Sequence, residues 1–283
     1  MIHASSAGYW SFLLAPTPAL LIGRLFGRKV VLNYRTGEAE DHLTRHGAVA
    51  IPLMRLANRI VVPSGFLVEV FARSGLTAVP IANFVDTIRL PYRERPMPAP
   101  RFLSNRNLEP LYNVGCVLRA FGTIQGAFPE ASLVVAGAGK QEVELRELAS
   151  RLELRNVSFV GAVPPERMGE LYDAADIYLN SPDIDNMPTS IIEAFASGLP
   201  VVTTDAGGIP FIVKDDVNGL LVGRNEDAAM AAASLRLLRE PGLAERLTET
   251  ARRDVLEHYT WEAVGGQWLD LYRGLVARHQ NPA

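Results

Sequence analysis

Short apolar runs rich in Val and Ile alternate with longer helical patterns along this chain of 283 residues. One example is the run KVVLNY at Lys29–Tyr34, which is followed by a helical pattern over Asp41–Asn58 and a second apolar run at Arg59–Val62. Continuous apolar strands separated by helices are typical of parallel sheets that carry helices on both faces. The sequence therefore predicts an α/β fold built from doubly wound parallel sheets.

The first third of the chain begins with an apolar segment, Tyr9–Gly27, in which Pro16 and Pro18 interrupt the pattern. No basic stretch precedes it, so we interpret it as a core helix rather than a membrane span or a signal peptide. Further elements of this part are predicted from apolar period and from the capping residues Ser64 and Gly75. These predicted elements are strands at Ile2–Ala4 and Thr77–Ala82 and helices at Tyr9–Phe26 and between Ser64 and Gly75.

The segment Thr87–Pro100 (TIRLPYRERPMPAP) is dense in proline, which stiffens an extended connection, and we predict a linker there. The predicted division of the chain is 1–86, linker 87–100, second domain 101–260 and C-terminal helix 261–283. The second domain has six apolar runs separated by helical patterns, which predicts a six-stranded parallel sheet. The runs are Arg101–Ser104, Ser132–Ala136, Val157–Val160, Ile177–Asn180, Pro200–Thr203 and Gly219–Val222.

Charge and cysteine content exclude some functions. The 28 Lys and Arg residues are balanced by 31 Asp and Glu without a basic run, which argues against nucleic-acid binding. The single cysteine, Cys116, cannot form an internal disulfide, so we expect a reducing, cytoplasmic location. Among the histidines only His42 and His46 are one helical turn apart, and without a third ligand we expect no metal site. His42 lies in the polar segment GEAEDHL, a predicted loop that overlaps the start of the helical pattern over Asp41–Asn58 and could face the interdomain cleft. It is an outside candidate for an acceptor-side role.

The stretch Ser181–Pro210 (SPDIDNMPTSIIEAFASGLPVVTTDAGGIP) holds the best candidate ligand site. Asp185 lies in a polar loop, eight positions before Glu193 on a helix that Pro188 can open. The free N–H groups at the start of that helix suit a phosphate, and the two carboxylates suit hydroxyl groups. The alternative is that Asn186, Pro188 and Thr189 only cap a helix and that Glu193 is solvated.

This stretch resembles the signature of the family 4 (group 1) nucleotide-sugar glycosyltransferases, which are retaining enzymes of the two-domain GT-B fold. The shared pattern is an acid, seven residues, a second acid and a small-residue turn, here Asp185, Glu193 and then Ala194 and Ser197–Val201. Asp185 and Phe211 stand where the family usually has Glu. The resemblance implies transfer of a hexosyl unit from a UDP- or GDP-sugar to an acceptor hydroxyl, with retention of configuration and without a metal ion or other cofactor.

The resemblance also implies roles for residues of this stretch. Glu193 would bind the nucleotide ribose, and Asp185 would hold sugar hydroxyls. The backbone that follows Asp185 would bind sugar and phosphate groups. Its residues are Asn186, Met187, Pro188, Thr189 and Ser190.

Three other predicted strand ends lie at the same edge of the second sheet, where parallel sheets bind ligands. After the first, Arg106 and Asn107 occupy the family's arginine position, whereas Tyr112 falls at the place of its lysine; a plain surface arginine is the alternative. By resemblance Arg106 would stabilise the diphosphate as it departs. After the second strand end, Gly137 and Gly139 either let the backbone approach a ligand or form a simple turn, and Lys140 is predicted at a helix start. After the third, the resemblance implies that the backbone of Val160 and Gly161 contacts the nucleotide base.

The first third resembles only the later half of the family's N-terminal domain, so we expect an N-terminally truncated chain with an exposed sheet edge and a tendency to self-associate. The family's usual histidine is also absent after Tyr34, where Arg35 follows. The C-terminal helix would pack through Trp261, Trp268, Leu269 and Tyr272.

Other functions stay open at this point. One alternative is a non-catalytic nucleotide-sugar-binding fragment, and a weaker one is a sugar-nucleotide epimerase, which would need acid and base residues that the sequence does not supply. Glycan, lipid-linked and small-molecule acceptors remain possible partners, as does peripheral attachment at the inner membrane face.

Overall fold

The structure is a computed structural model that describes residues 1–6 and 8–277. The chain forms two compact units. The first comprises Met1–Asn83, Asp185–Met187 and the chain from Trp261 onward, and the second comprises Phe84–Ile184 and Pro188–Thr260. Each unit is built on one parallel sheet, which confirms the predicted α/β fold with two such sheets.

The sheet of the first unit has four parallel strands in the order β1-β2-β3-β4. β2 is buried along its whole length because a neighbour pairs with it on each side, whereas β1 lies at an edge of the described sheet. The elements are β1 (Ile2–Ser6), α1 (Tyr9–Leu14), α2 (Pro16–Leu25), β2 (Val30–Tyr34), α3 (Ala39–Met54), β3 (Arg59–Val62), α4 (Gly65–Arg73) and β4 (Ala78–Pro80).

The apolar segment predicted as one core helix instead forms α1 and α2, which meet at Ala15. A proline lacks the backbone N–H that a helix interior needs, so Pro16 starts a new helix rather than continuing the old one. Only one side of the pair is buried, through Phe12 and Leu20. The prediction of a core helix is therefore wrong for the outward side, where Trp10 is 76% exposed. Within the described residues, no helix has both the length and the apolar composition needed to cross a membrane.

The sheet of the second unit has six parallel strands, as predicted, and their order is β10-β9-β8-β5-β6-β7. Its strands are β5 (Arg101–Asn105), β6 (Ser132–Ala136), β7 (Val157–Gly161), β8 (Ile177–Asn180), β9 (Val201–Thr204) and β10 (Leu220–Val222). Its helices are α5 (Val114–Ala127), α6 (Glu142–Arg151), α7 (Met168–Ala174), α8 (Thr189–Ala196), α9 (Asp227–Arg239) and α10 (Leu243–His258).

Residues 87–100, where composition predicted a linker, group with the second unit and are anchored to it. The buried guanidinium of Arg95 donates hydrogen bonds to the carbonyl oxygens of Ala175 at 2.9 Å and of Ser197 at 2.6 Å. Burial lowers the pKa of Arg95 to about 10, and the neighbouring positive charge of Arg93 adds to this effect. The segment is therefore packed against the sheet domain that follows it rather than extended in solvent.

The last helix, α11 (Trp261–Ala277), belongs to the first unit. Its Val264 and Leu275 are buried with residues of β2 and β3. Of the predicted packing face, Trp268 and Tyr272 pack against this cluster. The prediction is wrong for Trp261 and Leu269, which are half exposed. Residues 278–283, to which the predicted helix extended, lie outside the described residues and include His279.

Candidate functional site

The strand order of the second sheet reverses between β5 and β8. The chain runs outward from β5 to β7 and then returns to β8 on the other side of β5. In open parallel sheets, ligands bind beyond the carboxyl ends of the strands at such a point. The loop after β5 and the helix α8 after β8 therefore define the candidate site.

Arg106 directly follows β5 and contacts α8. Its Nη1 donates a hydrogen bond of 3.1 Å to Oγ of Ser190, in the first turn of α8. The central carbon of its guanidinium lies 4.1 Å from the ring centroid of Tyr112, which is a cation–π contact. Tyr112 occupies the position where the resemblance implies a second cation. Its ring packs against one face of the Arg106 guanidinium instead.

Glu193 lies three residues after Ser190, on the same side of α8. Its Oε2 accepts a hydrogen bond of 2.7 Å from the hydroxyl of Tyr172 on α7, a fully buried side chain. The amide of Asn105, the last residue of β5, donates to the same hydroxyl oxygen at 2.6 Å. Three elements thus hold one oxygen of the Glu193 carboxylate in place, and the other oxygen, Oε1, makes no hydrogen bond with residues 1–6 or 8–277.

The protonation of this carboxylate reflects its surroundings. Burial raises the pKa of Glu193 above its ordinary value, while the hydrogen bond from Tyr172 and the positive charge of Arg106 lower it in part. Burial, together with the nearby Glu193 carboxylate, raises the pKa of Tyr172 well above its ordinary value. Tyr172 therefore stays protonated and acts as a hydrogen-bond donor.

At the N-terminus of α8, the N–H groups of Thr189 and Ser190 make no hydrogen bond within the described residues, whereas that of Ile191 donates to the Pro188 carbonyl at 3.2 Å. The helix begins at Thr189, directly after Pro188, and no side chain caps it. The first N–H groups of a helix have no acceptor within the helix, and the helix dipole favours an anion at this end. Arg106 adds a full positive charge beside Ser190. This end of α8 can therefore bind an anion, with the Glu193 carboxylate one turn away as a hydroxyl acceptor.

Asp185, Asn186 and Met187 group with the first unit. The side-chain oxygen of Asn186 accepts a hydrogen bond from the Ser64 hydroxyl, and the carbonyl of Met187 accepts one from the Asn83 amide at 2.8 Å. Oδ1 of Asp185 accepts the backbone N–H of Asn186 at 2.8 Å. That N–H, which we predicted to hold a ligand group, is thus already paired.

Gly137 and Gly139 lie against the loop after β5 rather than against open space. A Cβ on Gly137 would lie 2.1 Å from the carbonyl oxygen of Arg106, and one on Gly139 would lie 2.3 Å from that of Leu108. Gly137 also has a φ of +136°, which disfavours any other residue. The two glycines therefore allow the chain to hold the Arg106 loop in position.

The other predicted residues lie further along this edge. Lys140 is in the turn before α6 and does not begin the helix as predicted; its ammonium lies 3.7 Å from the Glu109 carboxylate and is largely exposed. Asn107 is exposed in the loop after β5, and Val160 is exposed near the end of β7. The carbonyl of Gly161 accepts the N–H of Gly137 at 2.7 Å. Among the described residues, no three His, Cys, Asp or Glu side chains are grouped so that they could hold a metal ion.

Sequence reasoning missed Tyr172 and Asn105. The available signal was a tyrosine within the helical pattern before β8, because a buried tyrosine hydroxyl usually has a hydrogen-bond partner. The identity of that partner depends on how α7 packs beside α8, which spacing along the chain does not reveal.

The fold and the site together define an α/β protein whose second sheet carries an arginine, a helix N-terminus and a partly buried carboxylate at one edge. The sequence model of the family described as Glycosyl transferases group 1 matches residues 93–254, more than half of the chain, so this protein belongs to that family. The prediction that this chain is a group 1 member is thereby confirmed.

Two curated relatives and one solved structure illustrate this membership. The chain is 31% identical over 144 residues to an uncharacterized glycosyltransferase of Methanocaldococcus jannaschii, a match that covers 50% of this chain and 37% of that protein. It is 30% identical over 166 residues to the phosphatidyl-myo-inositol mannosyltransferase of Mycobacterium leprae, which covers 58% and 43%. The chain thus spans less than half the length of these two relatives.

Among solved structures, HepE of Anabaena in complex with UDP-glucose aligns with a TM-score of 0.80 at 20% identity, over 91% of this chain and 77% of that one. At this identity the likeness concerns the fold alone. It agrees with the predicted GT-B class of two Rossmann-like parallel sheets.

Proposed function

We propose that this chain takes part in the transfer of a hexosyl unit from a UDP- or GDP-sugar to an acceptor hydroxyl, with retention of configuration. The observation that carries the proposal is the placement of Arg106, Ser190 and Glu193 at one end of α8. A cation and unpaired N–H groups suit a diphosphate, and a fixed carboxylate suits ribose hydroxyls. Family membership supports the proposal, as does the UDP-glucose named for the Anabaena structure.

Arg106 has the role of stabilising the diphosphate as the bond to the sugar breaks. A guanidinium is charged at all working pH values and contacts phosphate oxygens through two parallel N–H groups. Fixed charges of this kind contribute most where negative charge develops, which is on the leaving diphosphate. The stacking of Tyr112 keeps the guanidinium from reorienting when the ligand is absent.

Glu193 has the role of binding the ribose through Oε1, because Oε2 already accepts the hydrogen bond from Tyr172. The Asp185 carboxylate has the proposed role of accepting hydrogen bonds from the sugar hydroxyls. The reaction is proposed to need no metal ion, so EDTA should leave its rate unchanged. A cytoplasmic location is likewise a proposal, supported by the lack of a possible internal disulfide at Cys116.

The direct test is release of nucleotide from UDP-glucose and GDP-mannose by the full chain, followed by liquid chromatography. We expect slow release of one nucleotide, and proton NMR should show the α-anomer formed first from an α-linked donor. Glu193→Ala should abolish release, whereas the control Glu130→Ala, in an exposed turn before β6, should not change it. An inverted anomer would contradict retention, and equal rates in the two variants would contradict the site.

A second candidate function is nucleotide-sugar binding without catalysis. The observation that favours it is Tyr112, which occupies the place where the resemblance expects a second cation for the diphosphate. Fewer positive charges at the leaving group predict a slower bond cleavage. Binding of a nucleotide sugar with no release over a day would support this candidate, and measurable release would exclude it.

A further inference from the structure

The first unit contains a cavity between α1 and α3, with a volume of about 420 Å³. This lies within the range of roughly 300–1,000 Å³ that small-molecule sites occupy. α1 follows the carboxyl end of β1 and α3 follows that of β2, so the cavity adjoins the edge where parallel sheets bind ligands. None of the residues assigned to the proposed donor site lines this cavity.

The cavity walls are mainly apolar and aromatic. The rings of Tyr9 and Phe12 lie 5.3 and 5.5 Å from the ring of His42, centroid to centroid. At the rim, Trp10 is 76% exposed and Val49 is 57% exposed, although both are apolar. A ligand with an apolar group would cover these side chains and remove apolar surface from water, which is favourable.

His42 supplies one polar group to this apolar wall. The predicted loop at GEAEDHL is wrong and the predicted helix from Asp41 is confirmed for His42, which is in α3 and is only 2% exposed. Its Nδ1 is 2.8 Å from the Tyr34 hydroxyl, and its Nε2 makes no hydrogen bond with the part of the chain that the structure describes. Burial, with His46 nearby, lowers the pKa of His42, so the imidazole is neutral at pH 7.

Two further polar side chains line the cavity: His46, whose ring lies 5.8 Å from that of Tyr9, and Tyr9, whose hydroxyl is already paired. The hydroxyl of Tyr9 donates to the Asp41 carboxylate, which in turn forms an ion pair with Arg45 at 2.7 Å. A ligand with many hydroxyls would lose more hydrogen bonds to water than this cavity can replace. A ligand with a net charge would find the neutral His42 imidazole and apolar rings along most of the wall, and the nearby Asp41 and Arg45 charges already neutralise each other. The chemistry of the cavity therefore favours an uncharged molecule with an apolar group beside a hydroxyl.

We propose that this cavity binds the apolar part of the acceptor, an alcohol whose hydroxyl bonds to Nε2 of His42. The assignment to the acceptor rests on the proposed function, whereas the binding of such an alcohol does not. The range of proposed acceptors is thus restricted from any hydroxylated molecule to molecules that have an apolar group next to a hydroxyl.

Binding can be followed through Trp10 at the rim, with 4-nitrobenzyl alcohol as the probe, because a nitroaromatic group quenches an adjacent indole. We expect saturable quenching in the full chain and loss of the saturable part in Trp10→Phe, which leaves Trp261 and Trp268 as the reference signal. 4-Nitrotoluene, which lacks the hydroxyl, should bind about fivefold more weakly, the equivalent of one net hydrogen bond. Quenching that rises linearly without saturation would overturn the proposal.

Two variants on neighbouring exposed positions of α3 provide a matched pair. Val49→Tyr places a ring in the mouth of the cavity, whereas Ala48→Tyr places the same ring one residue away, outside the cavity lining. We expect Val49→Tyr to remove saturable quenching and Ala48→Tyr to leave it unchanged. Equal affinity of the two variants for the probe would contradict the assignment of the cavity.

Nucleotide titration of the same preparations separates this proposal from the proposed function. Nucleotide binding without saturable quenching would overturn the cavity proposal alone, and saturable quenching without binding of any nucleotide would overturn the acceptor assignment together with the proposed function. With a donor that the chain hydrolyses, Val49→Tyr should raise KM for transfer to 4-nitrobenzyl alcohol and leave hydrolysis unchanged. A chain that hydrolyses the donor and never transfers to this alcohol would also overturn the acceptor assignment.

Discussion

The hydroxyl of Tyr172 donates a hydrogen bond of 2.7 Å to Oε2 of Glu193 and joins α7 to the side of α8 that carries Ser190 and contacts Arg106. Because Tyr172 is fully buried, its hydroxyl has no water to bond with and is held to this partner. The bond fixes one carboxylate oxygen and so sets the direction in which the other can accept. The sequence alone does not indicate how the Glu193 carboxylate is oriented on α8, and this hydrogen bond gives it a defined orientation.

Tyr172→Phe should weaken nucleotide binding about tenfold, because a charge-assisted hydrogen bond that orients the carboxylate is lost. The same bond lowers the pKa of Glu193, so its removal should raise that pKa further. The pH below which nucleotide binding fails should therefore move upward in the variant. Calorimetric titration over a pH series measures both effects.

The matched control for this variant is Tyr259→Phe, in the turn after α10. It removes one phenolic hydroxyl from the same unit and should change neither the affinity nor its pH dependence. If both tyrosine variants lost affinity equally, the effect would be a general loss of packing and the orienting role of Tyr172 would be wrong.

Tyr112→Ala should weaken nucleotide diphosphate binding roughly two- to thirtyfold, because a cation–π contact that positions Arg106 is worth about 0.5–2 kcal/mol. Tyr112→Phe keeps the aromatic face under Arg106 and should behave like the parent chain. Tyr112→Lys should tighten binding by placing a second cation near the phosphates. A Phe variant as weak as the Ala variant would show that the hydroxyl matters rather than the ring.

Glu193→Gln should stabilise the ligand-free chain at neutral pH and weaken nucleotide binding about tenfold, which is the pattern of a binding residue. The raised pKa of Glu193 means that the folded state binds its proton more readily than the unfolded state does. Its contribution to stability therefore falls as pH rises from the ordinary value of 4.5 through the raised value. The Tm advantage of the Gln variant should grow over that interval, and an advantage that shrinks would contradict the assignment.

Gly198→Ala should lower stability by more than about 1 kcal/mol, since an alanine at positive φ is strained. Gly198 has a φ of +72°, and an added Cβ would lie 2.4 Å from the carbonyl oxygen of Arg93 in the segment that packs on this unit. Gly126 in α5 is the control, because nothing lies within 4 Å of its added Cβ. Thermal unfolding should show Gly126→Ala at or above the parent Tm, and a similar loss in both variants would contradict this explanation.

The sequence predicted the two parallel sheets because alternating strands and helices are a local property of the chain. The positions of Arg106 just after a strand and of Glu193 one turn into a helix were also predictable, since topology alone places such strand and helix ends at one edge of a sheet. The outward apolar side of α1 and α2 was not, because burial depends on which neighbouring elements cover a helix. Trp10 and Leu25 have the composition of core residues and are nevertheless exposed.

Contacts between distant parts of the chain explain the remaining differences. Gly137 was predicted to admit a ligand, but the space beside it holds the Arg106 carbonyl. Lys140 was predicted at a helix start near a phosphate, and it instead forms an ion pair with Glu109. His42 has a polar sequence neighbourhood, and tertiary packing against Tyr34 and Phe12 buries it all the same. Each of these outcomes depends on residues far away in sequence.

Calorimetric titration of the parent chain and of Glu193→Ala with UDP, GDP and ADP decides whether this edge of the second sheet binds the donor nucleotide. We expect one nucleotide to bind the parent chain and the variant to bind it at least about tenfold more weakly, since a charge-assisted hydrogen bond is worth roughly 1.5–3 kcal/mol. Absence of binding to all three nucleotides, or affinities for parent and variant within about twofold of each other, would contradict the assignment of this edge of the second sheet as the donor site.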